Sequence, residues 1–137
     1  MALQVRRVDY FYVNVTDKPG EAYKLLALLA ARGINLLAFT AVPTGAERSQ
    51  LTIFPDDPAH LTSEARKAGL EMEGPHPALL VQGDDELGAL SNVHRRLYDA
   101  GVNVYAASGV ADGHGGFGYV LYIRADDFAT AARTLGV

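Results

Sequence analysis

An internal repeat with a period of 68 residues constrains this chain more than any other feature of its sequence. Shifted by that interval, Val13 falls on Val81, Asp17 on Asp85, Gly20 on Gly88, Leu29 on Leu97, Gly33 on Gly101 and Asn35 on Asn103. The apolar pair Ile34 and Leu36 recurs as Val102 and Val104. Further along the offset becomes 70, matching Ile53 to Ile123 and Asp56-Asp57 to Asp126-Asp127, so the second copy gains two residues in an intervening loop. A chain of 137 residues that holds two copies has to build each from about half its length. The expected division is 1–75 and 76–137.

Each half must then stabilise itself by apolar packing, because the chain has no cysteine for disulfides or thiolate metal sites. Its hydrophobic content of 49% suffices for a packed core. Sixteen acidic residues against twelve basic ones leave a net charge of −4, which repels a nucleic-acid backbone, and no basic run offsets it. Arg6 and Arg7 precede an apolar stretch, Val8 to Val15, but Asp9 and Asn14 interrupt it and it is too short for a signal sequence. Nothing approaches 18 uninterrupted apolar residues, so a soluble cytoplasmic protein without a membrane partner is expected.

In the first copy, Val8 to Val15 reads as a strand broken by the turn residues Thr16 to Gly20. Ala22, Leu25, Leu26, Leu29 and Ala30 then recur at helical spacing up to Gly33, predicting a helix from about Pro19 to Arg32. Leu36 to Val42 and Gln50 to Phe54 form a hairpin about Pro43 to Glu47, Leu61 to Ala68 a short helix, and Leu70 to Glu73 a fourth strand. Gly74-Pro75-His76-Pro77 then reads as punctuation between the copies. The second copy repeats the order with Ala78 to Gln82, a helix over Leu87 to Ala100, Val104 to Ala111, Phe117 to Ile123 and a helix from about Asp127 to Leu135. Its last strand is missing, and either Leu3 to Arg7 or a partner chain could fill the edge. The fold class is therefore α+β: two ferredoxin-like βαββαβ repeats side by side, antiparallel sheet with helices on one face. Strands such as Tyr10 to Val13 and Tyr119 to Ile123 are apolar on both faces, so the helix-free face is expected to be covered too, by sheet packing in a homodimer.

Asp17-Lys18-Pro19-Gly20, the amphipathic helix and Gly33-Ile34-Asn35-Leu36 resemble an ACT domain, and Gly101-Val102-Asn103-Val104 marks a second. The resemblance spans nearly the whole chain and implies a tandem, non-catalytic regulatory protein that binds a small molecule, an amino acid, at paired domains. It places ligand contacts at Asp17 and Asn35, with the repeats Asp85 and Asn103 in the second copy.

The same residues carry a physical rationale of their own. A strand-to-helix turn collects free backbone N–H groups and the positive end of the helix dipole, which suits a carboxylate. Gly20 permits close approach, and Pro19 presets the first helical φ. Asp17 can accept from an α-amino group, while Asn35 can donate and accept. The candidate ligand-binding residues are Asp17, Lys18, Pro19, Gly20, Asn35, Asp85, Gly88 and Asn103. Equally, Asp17 could cap the helix, Gly20 permit the turn and Asn35 stop the preceding segment. Asp84, Asp85 and Glu86 crowd the second turn with negative charge, so the first turn is the expected better carboxylate loop.

Other motifs in the sequence fail on their context. Gly116 to Tyr122 is similar to the aromatic signature of an RNA-recognition motif, in which Phe117 and Tyr119 would stack on bases. Against it, residues 77–137 hold four Arg and no Lys against seven acids, and Ala78 to Gln82 has no aromatic. Gly113 to Gly118 fits a glycine-rich phosphate motif, but joins two strands and opens no helix. His60, His76, His94 and His114 lack the close pairing of a metal site, and His94 is expected to face the partner copy. An acylphosphatase-like phosphate loop would need an arginine that neither turn contains. No catalytic residue, metal or cofactor is expected. Regulatory output would pass to an unidentified protein partner or to self-association as a homodimer, and a purely structural interaction module is the remaining alternative.

Overall fold

The computed structural model describes residues 3–137 and resolves them into two compact units. The elements are β1 (Gln4–Thr16), α1 (Glu21–Ala31), β2 (Leu36–Gly45), β3 (Arg48–Pro55), α2 (Pro58–Ala68), β4 (Glu73–Asp84), α3 (Ala89–Asp99), β5 (Val104–Ala111), β6 (Gly116–Ile123) and α4 (Ala125–Thr134). One unit is Asp9–His76; the other is Pro77–Val137 together with the start of the chain up to Val8. Residues 3–8, expected in the first copy, therefore belong with the second.

In the first unit the strands lie in the order β2-β3-β1-β4, with β4 contributing residues 73–76. In the second the order is β1-β4-β6-β5, with β1 contributing residues 4–8. Both are the last-first-third-second order of a βαββαβ unit. The place of the absent last strand is taken by the chain's own N-terminal segment: Leu3 and Val5 pack against the second unit's core, and the Arg7 guanidinium donates to the Val137 carbonyl at 3.1 Å.

The repeat is legible in the cores. Phe11 and Val13 on β1, Leu25 and Leu29 on α1, and Ile34 form one cluster with Leu51, Ile53 and Leu61. The residues 68 positions on, Leu79, Val81, Val93, Leu97 and Val102, form the other, with Leu121 and Ile123 matching Leu51 and Ile53 at the offset of 70. Register explains this: Phe11 opposes Ile53 and Val13 opposes Leu51, so alternate residues point to the helices, as do Leu79 opposite Leu121 in the second unit. Full burial of each such side chain is worth about 1.5–3 kcal/mol.

The other strand face is buried as well. Tyr10 is 4% exposed and Phe54 1%, their rings stacked with centroids 5.2 Å apart, and Leu80 and Val120 are 5% and 8% exposed. Those four side chains are each buried within the single chain.

Several boundaries differ from the sequence reading for local reasons. Helix α2 starts at Pro58, ahead of the first apolar residue Leu61, because Asp57 caps it by accepting from the His60 N–H at 3.1 Å and proline suits the first helical position. Gly74 to Pro77 lies inside β4, and the division between the two units falls within it, after His76. Gly74, with φ 145°, lies so close to β1 that a Cβ would sit 2.9 Å from the Tyr10 carbonyl oxygen and 2.8 Å from the Phe11 ring. Gly74→Ala is expected to cost about 1–3 kcal/mol through backbone strain and this collision. Chemical denaturation checks it, and an unchanged midpoint would mean that β1 and β4 can separate freely there.

Candidate functional site

Both strand-to-helix connections are built alike. In the first unit the Asp17 N–H donates to the Glu47 carbonyl at 2.8 Å, tying the turn to the tip of the β2–β3 hairpin, and the Glu21 N–H reaches the Lys18 carbonyl at 3.4 Å. In the second the Asp85 N–H donates to the Gly115 carbonyl at 2.8 Å and the Ala89 N–H to the Glu86 carbonyl at 3.1 Å. Gly20 (φ 92°, ψ −10°) and Gly88 (φ 82°, ψ 3°) have the dihedrals of the third residue of a type II turn, a left-handed conformation that favours glycine. Pro19 thus occupies the second turn position, ahead of the helix, and not the first helical position expected for it. Leu87 is its counterpart in the second unit.

Neither α1 nor α3 has a side-chain cap, so Asp17 does not close the helix end. Beyond the Glu21 and Ala89 N–H groups, which donate to the turn, the next first-turn N–H groups of both helices lack intrahelical partners and lie at the positive dipole end.

Beside the second of these helix starts lies a cavity of about 640 Å³, lined by Asp85 to Ser91, by Gly109, Val110 and Ala111 of β5, and by Phe117 of β6. Phe117, 9% exposed, belongs also to the core beneath. The hairpin forming this wall is closed by Asp112, whose carboxylate accepts from the His114 N–H at 2.6 Å and the Gly116 N–H at 3.1 Å. Those backbone bonds hold its carboxyl below the usual aspartate range.

The structure brings together Asp85 and Gly88 at this cavity and Asp17 to Gly20 at the equivalent turn. It does not bring Asn35 to Asp17, or Asn103 to Asp85, within either unit. Each asparagine follows an 11-residue helix whose start adjoins the aspartate, and such a helix is about 16 Å long. Both asparagines are exposed, and the Asn35 carbonyl accepts from the Asp56 N–H at 3.0 Å. The sequence favoured the first turn; this cavity adjoins the second. Its β5 wall, Gly109 to Ala111, was not singled out from the sequence, since these small, uncharged residues carry no motif.

The aromatic residues of the RNA-binding alternative face inward. Phe117 and Tyr119 lie on the helix side of β6, as the alternation through Leu121 and Ile123 requires, and both join that core. The Tyr119 hydroxyl lies 2.6 Å from His94 Nε2 on α3, and burial pushes its phenol upward. His94 thus faces β6 of its own unit, and the open stacking platform that bases need is missing from these two positions. Gly113 to Gly118 lies at the β5–β6 hairpin, as expected. Among the described residues no three metal-ligating side chains converge, and no helix is long and apolar enough to cross a membrane.

No protein-family model matches the sequence, and no curated relative matches it. Solved structures do match across nearly the whole chain. A Bacteroides thetaiotaomicron protein aligns at 17% identity, with 94% of this chain and 88% of that one covered and a TM-score of 0.77. The regulatory subunit of aspartate kinase from Thermus thermophilus, in a ligand-free form, aligns at 17% identity over 98% of this chain and 93% of its own, with a TM-score of 0.65. Its counterpart from Thermus flavus aligns at 18% identity over 98% and 93%, with a TM-score of 0.58. At these identities the likeness establishes the fold alone, that of ferredoxin-like repeats.

Proposed function

We propose that this chain is a non-catalytic regulatory protein that binds an amino acid at the turn between β4 and α3. The ligand carboxylate would lie against the uncapped N–H groups of α3, its ammonium group near Asp85 and Glu86, and its remainder in the cavity bordered by β5. The observation that carries this reading is the coincidence of an open helix start with a cavity of about 640 Å³. The fold shared with aspartate kinase regulatory subunits supports a regulatory role. The equivalent turn at Asp17 to Gly20 is proposed as a second, weaker site, since it repeats the backbone geometry.

Regulation would pass to a protein partner or to self-association. Strand β5 favours a homodimer: it is an edge strand, carries no charge from Val104 to Ala111, and is exposed from Tyr105 onward. The same exposure supports the second reading, an interaction module without a ligand.

A thermal-shift series with each of the twenty amino acids tests the first reading. A ligand at a hundred times its dissociation constant is expected to add about 2.7 kcal/mol to folded-state stability, a rise of several degrees. Asp85→Ala should weaken that shift more than Asp17→Ala. No shift with any amino acid, from a clean transition, would favour the interaction module.

A further inference from the structure

The residues around this cavity also bear on which amino acid it takes, an inference that rests on the binding reading above. Leu87 occupies the second position of the Glu86-Leu87-Gly88-Ala89 turn, and its side chain is fully exposed at 105%. The turn does not need leucine there, because Pro19 fills the same place in the other copy with the same glycine conformation behind it. On the opposite wall Val110 is 73% exposed, and Leu90, one residue into α3, is 36% exposed. None of the three belongs to a core cluster of the free chain. The fold therefore gives no account of three large apolar side chains gathered at one cavity.

The charge of the lining narrows what they could meet. Asp85 and Glu86 are the charged residues lining the cavity, both acidic, and no Lys or Arg is among the residues that form it. An acidic side chain entering here would be repelled and would find no cation. A ligand ammonium group is matched by the acids, which leaves Leu87, Leu90 and Val110 to the side chain. We infer that the α3 turn selects amino acids with large apolar side chains, with Leu87 and Val110 as specificity-determining residues.

Calorimetric titration of the full chain with leucine, methionine, phenylalanine, serine, aspartate and lysine tests this. Leucine, methionine and phenylalanine are expected to bind at least tenfold more tightly than the other three, the discrimination that one or more methylenes give in an apolar pocket. Leu87→Pro, which copies the first repeat and keeps the turn, and Val110→Ser should each weaken leucine binding about tenfold or more while leaving the melting temperature of the free protein within a few degrees. Serine, aspartate or lysine binding as tightly as leucine would overturn the side-chain inference and leave the amino-acid reading standing. Binding by none of the twenty would remove both. Unchanged leucine affinity in both variants would also overturn the inference, and a shift from dimer to monomer in sedimentation would then assign these side chains to a subunit contact.

Discussion

Deleting the first eight residues is expected to destabilise the 77–137 unit by about 3–5 kcal/mol, with ~1.5–3 kcal/mol from the buried Val8 and less from each of the half-buried Leu3 and Val5. Leu3 and Val5 pack against the core formed by α3, α4 and β6, and Val8 is 9% exposed. Arg7 adds a hydrogen bond to the Val137 carbonyl and lies 5.8 Å over the Phe128 ring. With domains generally stable by only about 5–15 kcal/mol, such a loss approaches the whole margin of the unit. Losing the strand also opens the edge of β4, whose unpaired N–H and C=O groups invite association with another chain. Hydrogen exchange read by mass spectrometry checks the location: protection should fall across β4 after Pro77 and across α4 much more than across β2 and β3. Uniform loss, or none, would mean that residues 3–8 are not the working last strand of that unit. A double substitution, Leu3→Asp with Val5→Asp, should reproduce most of the effect without shortening the chain.

The second large effect concerns the two cores. Leu51→Ala and Leu121→Ala are each expected to cost about 2–5 kcal/mol, from lost burial and the void left behind. Both side chains are nearly inaccessible, at 2% and 0%, and both sit on the third strand of a repeat facing its first strand, Leu51 across from Val13 and Leu121 across from Leu79. Urea denaturation of each variant and of the pair measures the effect. Equivalent positions in separate clusters should give nearly additive losses in the double variant. Strong non-additivity would show that the cores unfold as one coupled set. A loss below 1 kcal/mol at either site would show that the neighbouring side chains close the void.

The repeat, the βαββαβ order and most of the core were legible in the sequence because they depend on local chemistry and on period. Phe11 and Val13 alternate as a half-buried strand must, Leu25 and Leu29 follow helical spacing, and the recurrence after 68 residues supplies a second reading of each position. The turn glycines were legible for the same reason, since Gly20 and Gly88 stand where only a left-handed residue closes the turn. Of the candidate site, the turn residues were found and the cavity was not. Gly109, Val110 and Ala111 reach it from a strand about twenty residues away in sequence, and no spacing rule connects an uncharged edge strand to a helix start. Within one unit, α1 separates Asp17 from Asn35 and places the two at its opposite ends.

By itself the sequence determined the secondary-structure order, the duplication and which faces are apolar, because periodicity and turn chemistry act within a few residues. Tertiary structure alone decided three things: that residues 3–8 serve as the last strand of the distant unit, that Gly74 to Pro77 runs within a strand, and that Phe117 and Tyr119 face helices. Each depends on which backbone edge or side-chain face finds a partner far along the chain, and hydrogen bonding and burial settle that only when the whole chain is in place.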